Sequence, residues 1–363
     1  MAFKTLLLPG KYVQGPNALA TLGSELKRFG NNVVLVWDSC VKGLFGTTVL
    51  DSLRDAGLDY TEFLLSGQTL RSEAAALAGQ VKNLTNPGIV VGIGGGKTLD
   101  MAKAIAAYTG LPVASVPTVA SNDSPTSSFT VWYTEDGRGD GFDTWGRCPD
   151  LVLVDSQVIA GAPVRMFIAG LGDALATWYE AKAVADADAV NCLGTPVTVA
   201  ALTLARSARD VIFQNGLDAL TAVRNHEVSP ALEQVLEATI LYSGVGFESG
   251  GLATAHQMAN NMGILKETHG LLHGEEVAFG LATQLWLDPN VDSDERARVI
   301  AFMKNVGLPT TLRDIGLANA TADQLMPLAE ICEQPGSFAH NHPFKVTAQS
   351  IVNAMLRTST AIQ

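Results

Sequence analysis

Cysteine is scarce in this sequence: Cys40, Cys148, Cys192 and Cys332 are the only four in 363 residues, and no two show a paired spacing. That excludes a disulfide framework and a cysteine metal site, and makes a reduced cytoplasm the expected compartment. Positive charge is short too. Lys and Arg total 24 against 36 Asp and Glu, a formal net charge of −12, which argues against nucleic acid or an anionic membrane as partner. No uninterrupted apolar run reaches the length of a membrane span. The apolar part of residues 1–9 is too short for a signal peptide. What is present, 47% apolar and 17% charged residues, suits a globular chain long enough for two domains and a large core.

The common phosphate motifs are absent as well, although a close relation of both is there. Residues 89–94 form an apolar run rich in β-branched side chains that breaks into Gly94, Gly95 and Gly96, and 98–105 then has the composition of a helix. A strand, a tight turn and a helix start let the backbone approach an anion such as pyrophosphate. A P-loop requires glycine where Val91 stands, and the usual dinucleotide fingerprint requires it at Lys97. The turn is therefore a phosphate-type turn of another kind.

Strand and helix patterns alternate over the first 160 residues. Strands are expected at 32–37, 60–65, 89–94, 111–117 and 151–155, and helices at 47–53 and 72–82, the second with Ser72 as N-cap. This alternation predicts a mostly parallel sheet covered on both faces. From about residue 163 the texture becomes Ala- and Leu-rich and helical, as at 173–187, 197–213 and 230–243. The expected organisation is an α/β domain over 1–162 and an all-α domain over 163–363, with the ligand cleft between them.

Three groups of residues carry chemistry. Asp38 ends an early strand, where a carboxylate accepts hydrogen bonds from ribose hydroxyls and repels a 2′-phosphate, favouring NAD over NADP; it also suits a helix cap. Residues 117–128 follow a strand and are rich in Ser and Thr, fit for phosphate, carboxamide or polyol binding, or simply for a solvated loop. Histidine is rare, yet three of the six, His256, His269 and His273, fall close together, and Asp173 opens a helix after Gly170, Leu171 and Gly172. Two imidazoles and one carboxylate match a catalytic site for Zn²⁺, with Fe²⁺ the alternative, though Asp173 equally suits a helix N-cap. A His-Glu-x-x-His zinc protease motif is lacking. His226, His340 and His342 read as solvent-exposed.

In their order these groups resemble the glycerol dehydrogenases of the iron-containing, metal-dependent alcohol dehydrogenase superfamily. The likeness covers Pro9-Gly10-Lys11-Tyr12, the 92–100 turn, Pro117-Thr118-Val119-Ala120-Ser121, residues 172–181 and 246–253, Leu272-His273-Gly274-Glu275 and His340-Asn341. It implies an NAD-dependent oxidoreductase with a Rossmann-like domain followed by a helical one, in a dehydroquinate synthase-like architecture. The reaction implied is reversible oxidation of glycerol or another vicinal diol to the hydroxyketone. Metal ligands map onto Asp173, His256 and His273. Cofactor contacts map onto Asp38, Gly94, Gly95, Gly96, Lys97, Thr118, Ser121, Ser127, Phe129 and Tyr133, and Asp123 matches the substrate-side aspartate. Apart from the resemblance, proton exit is assigned to His269 or to water; family members form octamers.

Departures from the pattern bear on metal and substrate. Iron-type relatives carry a histidine four residues after the ligand aspartate, where this chain has Thr177, so three protein ligands of the zinc type are expected. A family histidine three residues after the first ligand histidine is replaced by Ala259, and a Ser-Thr-Asp-Ala-Pro-Cys stretch by residues 121–126. A roomier, less polar pocket follows, which opens the same chemistry to an amino alcohol or hydroxy acid. A dehydroquinate synthase-type cyclase is the competing enzyme reading.

Overall fold

The computed structural model describes residues 3–65 and 67–360; Met1 and Ala2 of the N-terminal run lie outside them. Two compact units emerge, Leu7–Pro163 with Thr221–Leu241, and Met1–Leu6 with Val164–Leu220 and Tyr242–Gln363.

The first unit holds strands β1 (Tyr12–Gly15), β2 (Asn32–Asp38), β3 (Asp59–Leu65), β4 (Pro87–Gly94), β5 (Val113–Pro117), β6 (Phe129–Tyr133), β7 (Gly139–Thr144) and β8 (Leu151–Asp155). Six form one sheet in the order β1-β8-β5-β4-β2-β3, with every pairing parallel. β2 shows why the strands read as unbroken apolar runs. Val33, Leu35 and Trp37 pack with Leu22 of α1 (Leu22–Leu26) and with Val49 and Leu53 of α2 (Ser39–Asp55). Val34 and Val36 point the other way, onto Ala74 and Val81 of α3 (Arg71–Lys82) and Met101 and Ile105 of α4 (Gly96–Thr109). Alternate side chains leave a strand on opposite faces, and here both faces are covered.

Two local expectations change. Helix α2 begins at Ser39, well before the expected 47, because Asp38 caps it by accepting the Val41 N–H at 2.8 Å. Ser72 is not a cap: α3 starts one residue earlier, Leu70 is its N-cap, and the Leu70 carbonyl takes the Ala74 N–H at 3.0 Å. The antiparallel β6–β7 hairpin was not anticipated. It is held by stacking of Phe129 on Phe142, with ring centroids 5.0 Å apart, and by the Trp132 indole N–H donating to Asp143 at 2.9 Å.

The sheet order reverses between β2 and β4. Trp37 is in register with Ile93, and Gly94 with Pro117, so Asp38, Gly94 and Thr118 sit at the carboxyl ends of three neighbouring strands. Open α/β sheets bind ligands at such a reversal point.

The second unit is helical: α6 (Val164–Asp186), which follows α5 (Ser156–Ala160) in the chain, then most of α7 (Val199–Arg224), and, beyond α8 (Pro230–Leu236), α9 (Ser243–Gly250), α10 (Thr254–Ala259), α11 (His273–Leu287), α12 (Ser293–Val306), α13 (Ala322–Cys332) and α14 (Ala348–Thr360). Met258, Phe279, Leu325, Leu328, Ile351 and Met355 share one core cluster in it. The stretch containing α8 groups instead with the α/β unit, where Glu233 accepts from Ser156 and Gln14 and the Ile240 carbonyl accepts from Thr126. No described helix is long and apolar enough to cross a membrane.

Candidate active site

Asp173 does not open a helix. It lies in the middle of α6, fully buried, which removes the N-cap reading. His256 stands in α10 and His273 is the first residue of α11. The Nε2 atoms of the two imidazoles lie 3.3 and 3.5 Å from the same Asp173 Oδ1. One ligand atom from each residue falls within 4.8 Å of the others.

The helices approach closely enough because glycine replaces side chains at their contacts. A Cβ on Gly274, next to His273, would come within 1.9 Å of the Ala169 carbonyl oxygen in α6. A Cβ on Gly280 would stand 2.4 Å from the Ala255 carbonyl in α10. Backbone thus meets backbone on both sides of the cluster.

Electrostatics say what belongs there. Burial works against a charged His256, yet the Glu180 and Asp173 carboxylates on either side overcome it and hold the imidazole well above its usual range. His256 Nδ1 hydrogen-bonds Glu180 Oε2. Without an ion the two carboxylates favour a proton on each ring nitrogen, Nδ1 toward Glu180 and Nε2 toward Asp173; a cation between Nε2 and Asp173 Oδ1 would take the place of the second proton. Two nitrogens and one oxygen of this kind fit a divalent transition metal.

Of the expected site residues in this unit, the structure brings together Asp173, His256 and His273. His269 stands apart: it is exposed, with Nε2 2.9 Å from the Gly263 carbonyl oxygen. Thr177 is fully buried, with its hydroxyl 2.7 Å from Ser243 Oγ, and a Cβ on Gly246 would touch its methyl at 2.8 Å. An imidazole has no room there. Glu180 was missed in the sequence, although a periodicity signal existed: residues 173, 177 and 180 fall on one face of a helix.

His342 corrects another expectation. It is 5% exposed, with Nε2 2.8 Å from Thr254 Oγ1 and its ring 4.8 Å from that of Phe344. His340 is exposed, as expected, with Nε2 near the Glu333 carbonyl. Burial pushes His342 down to about 4, against the raising effect of Asp288 and Glu180. A folded pKa below the unfolded value of about 6.5 leaves stability intact above pH 6.5 and removes it as pH falls toward 4. The loss expected is about 3 kcal/mol. Chemical denaturation at pH 7 and pH 4 measures it, and His342→Asn should flatten that part of the slope.

In the α/β unit, the glycine turn caps α4. A Cβ on Gly94 would lie 2.8 Å from Thr98 Oγ1 and 2.9 Å from its Cβ, so this position needs glycine for close packing, whereas one on Gly96 would meet only the end of the Asn122 side chain, at 2.7 Å. At Gly95 the nearest atom would be at 3.5 Å, an ordinary contact, and no side chain caps the helix there. Beside it the Thr118 N–H donates to the Gly94 carbonyl at 3.1 Å. Lys97 Nζ sits 5.1 Å from the centre of the Tyr133 ring. Thr118, Asp123, Ser127 and Phe129 are buried, whereas Ser121 and Tyr133 are half-buried. A buried ion pair not singled out in the sequence fixes this loop: Lys103 Nζ lies 2.8 Å from Asp100 Oδ1 and donates to the Ser124 carbonyl at 3.1 Å.

Comparison with known proteins identifies the family. A family model described as iron-containing alcohol dehydrogenase matches residues 9–156. A glycerol dehydrogenase of Citrobacter freundii is 42% identical, over 97% of this chain and 96% of its own length. A glycerol dehydrogenase of Pseudomonas putida is 41% identical, over 96% and 95%. The crystal structure of glycerol dehydrogenase from Schizosaccharomyces pombe superimposes with a TM-score of 0.94 at 32% identity, covering 99% of this chain and 91% of that one.

Proposed function

The chain belongs to the iron-containing alcohol dehydrogenase family, and on that footing we propose that it oxidises glycerol or a related vicinal diol at a secondary hydroxyl, reversibly, with NAD⁺ and a zinc ion. The observation that carries this reading is the convergence of two imidazole nitrogens on one buried carboxylate oxygen. A zinc ion held by Asp173, His256 and His273 would supply Lewis acidity toward the substrate hydroxyl, and NAD⁺ would serve as the hydride acceptor.

The chain's residues provide the rest. Asp173 is a buried counter-charge that offsets part of the ion's own, and the two imidazoles are neutral donors. Gly94, Gly95 and Gly96 clear the α4 N-terminus for the pyrophosphate, and Asp38 faces the ribose while it caps α2. Thr118, Ser121, Ser127, Phe129, Lys97 and Tyr133 are assigned to the remainder of the cofactor, and Asp123 to the substrate side. His269 keeps its assignment to proton exit only as a surface group. Zinc is favoured over iron because the packing of Thr177 against Ser243 and Gly246 leaves three protein ligands. Ala259, buried three residues after His256 on the same face of α10, is small where family members carry a histidine, which favours a roomier and less polar pocket. A homo-octamer in the cytoplasm completes the proposal by family resemblance.

A substrate panel tests it. Glycerol, other vicinal diols, amino alcohols and 2-hydroxy acids are assayed with NAD⁺ and NADP⁺ after chelation and reloading with Zn²⁺ or Fe²⁺. Net NADH formation from a vicinal diol, restored by Zn²⁺, is expected. Activity with NADP⁺ alone would overturn the role of Asp38, and carbocycle formation without net NADH would favour the cyclase.

A further inference from the structure

Glu180 is fully buried on α6, two helical turns beyond Asp173, and outside the ligand set. Neither of its oxygens is idle. Oε1 accepts the Ala253 N–H at 2.8 Å and the His256 N–H at 2.9 Å, two of the donors that the start of α10 leaves open. Oε2 takes His256 Nδ1. Three donors thus converge on one carboxylate, and two of them belong to the same histidine. One helix, α6, supplies both the carboxylate facing His256 Nε2 and the carboxylate behind its Nδ1.

We propose that Glu180 is a positioning residue of the metal centre, holding the His256 proton on Nδ1 so that the Nε2 lone pair faces Asp173 and the ion. A carboxylate or carbonyl behind a ligating imidazole sets its tautomer and raises its basicity. Here the backbone bonds add a second constraint, because the group that orients the ring also anchors the helix carrying it. The inference rests on the reading of Asp173, His256 and His273 as ligands.

A plain helix-capping role would predict something different for Glu180→Gln. The glutamine carbonyl can still accept both backbone N–H groups of α10. Its amide NH₂ then faces Nδ1, where it donates and draws the lone pair to Nδ1, leaving the proton on Nε2. A protonated Nε2 cannot bind metal. Capping survives, while metal binding weakens.

The test titrates Zn²⁺ into chelator-stripped wild type and E180Q against a chromophoric chelator, with NADH fluorescence as a check of the cofactor site. E180Q should bind Zn²⁺ about 10- to 100-fold more weakly, with NADH binding unchanged. Zinc affinity within twofold of wild type would overturn the proposal. If E180Q does not fold, Co²⁺-loaded wild type answers instead. Its proton spectrum should hold a shifted, slowly exchanging imidazole N–H with an Overhauser contact to the His256 Cβ protons, which marks Nδ1; the absence of any such protected proton would overturn the assignment. A wild type that takes up no divalent metal would bring down the metal-site reading itself, whereas normal zinc uptake by both proteins would remove Glu180 alone.

Discussion

His256→Ala should lose its divalent metal and about 10³–10⁴ of its turnover while still binding NADH. The size follows from the chemistry assigned to the cluster. Lewis-acid stabilisation is worth several kcal/mol, and each 1.36 kcal/mol is a factor of ten in rate. The substitution removes one of three donors and leaves Asp173 and Glu180 as two buried carboxylates with no ring between them. Asp173 and His273 then remain as two donors where catalytic zinc sites use three. The glycine turn and Asp38 are untouched, so NADH fluorescence should be preserved. Elemental analysis and steady-state kinetics decide the matter: turnover retained by a metal-free variant would refute the metal role.

Gly274→Ala should be the most damaging conservative change near the site. Its new methyl carbon would sit 1.9 Å from the Ala169 carbonyl oxygen, far inside contact distance, and the obstacle is backbone on a helix that cannot rotate away. Relief requires α11 to back away from α6, at a cost of roughly 3 kcal/mol or more. His273 leads α11 and Asp173 lies four residues after Ala169, so that movement opens the ligand set directly. A displacement of about 1 Å at a reacting centre costs on the order of 100-fold in rate. The variant should therefore melt early, and whatever remains folded should bind zinc poorly. Wild-type stability together with wild-type zinc affinity would contradict the helix contact described here.

The sheet was legible because its strands are buried on both faces, so β2, β4 and β8 appear as uninterrupted apolar runs. The β6–β7 hairpin was not, since Gly139–Thr144 is mostly exposed and carries little apolar pattern; the aromatic stack that holds it joins residues far apart in sequence. The cluster of Asp173, His256 and His273 was visible as residue types in an unusual concentration, but the place of Asp173 was misread. Gly170 and Gly172 looked like a break before a helix, whereas Gly172 is inside α6 and a Cβ there would meet the Gly274 carbonyl at 2.5 Å. Glycine in a helix has two explanations, an end or a close neighbour, and only the fold distinguishes them. His342 was misjudged for a similar reason: its polar, proline-containing surroundings suggested solvent, while Thr254 and Phe344 enclose it.

The glycine contacts between helices also bear on how the protein acquires its ion. Main chain against main chain holds α11 on α6 and on α10, so Asp173, His256 and His273 converge without an ion. Metal and folding are then only loosely linked, unlike small domains that collapse around their zinc. The stripped protein should stay folded and refill readily. A preformed pocket with two nitrogen donors and one oxygen prefers Zn²⁺ to Fe²⁺ in the general order of divalent affinities, so iron enters where its supply outweighs that difference. Which metal is recovered with the enzyme then reports the free-metal balance of the cell that made it as much as the design of the site.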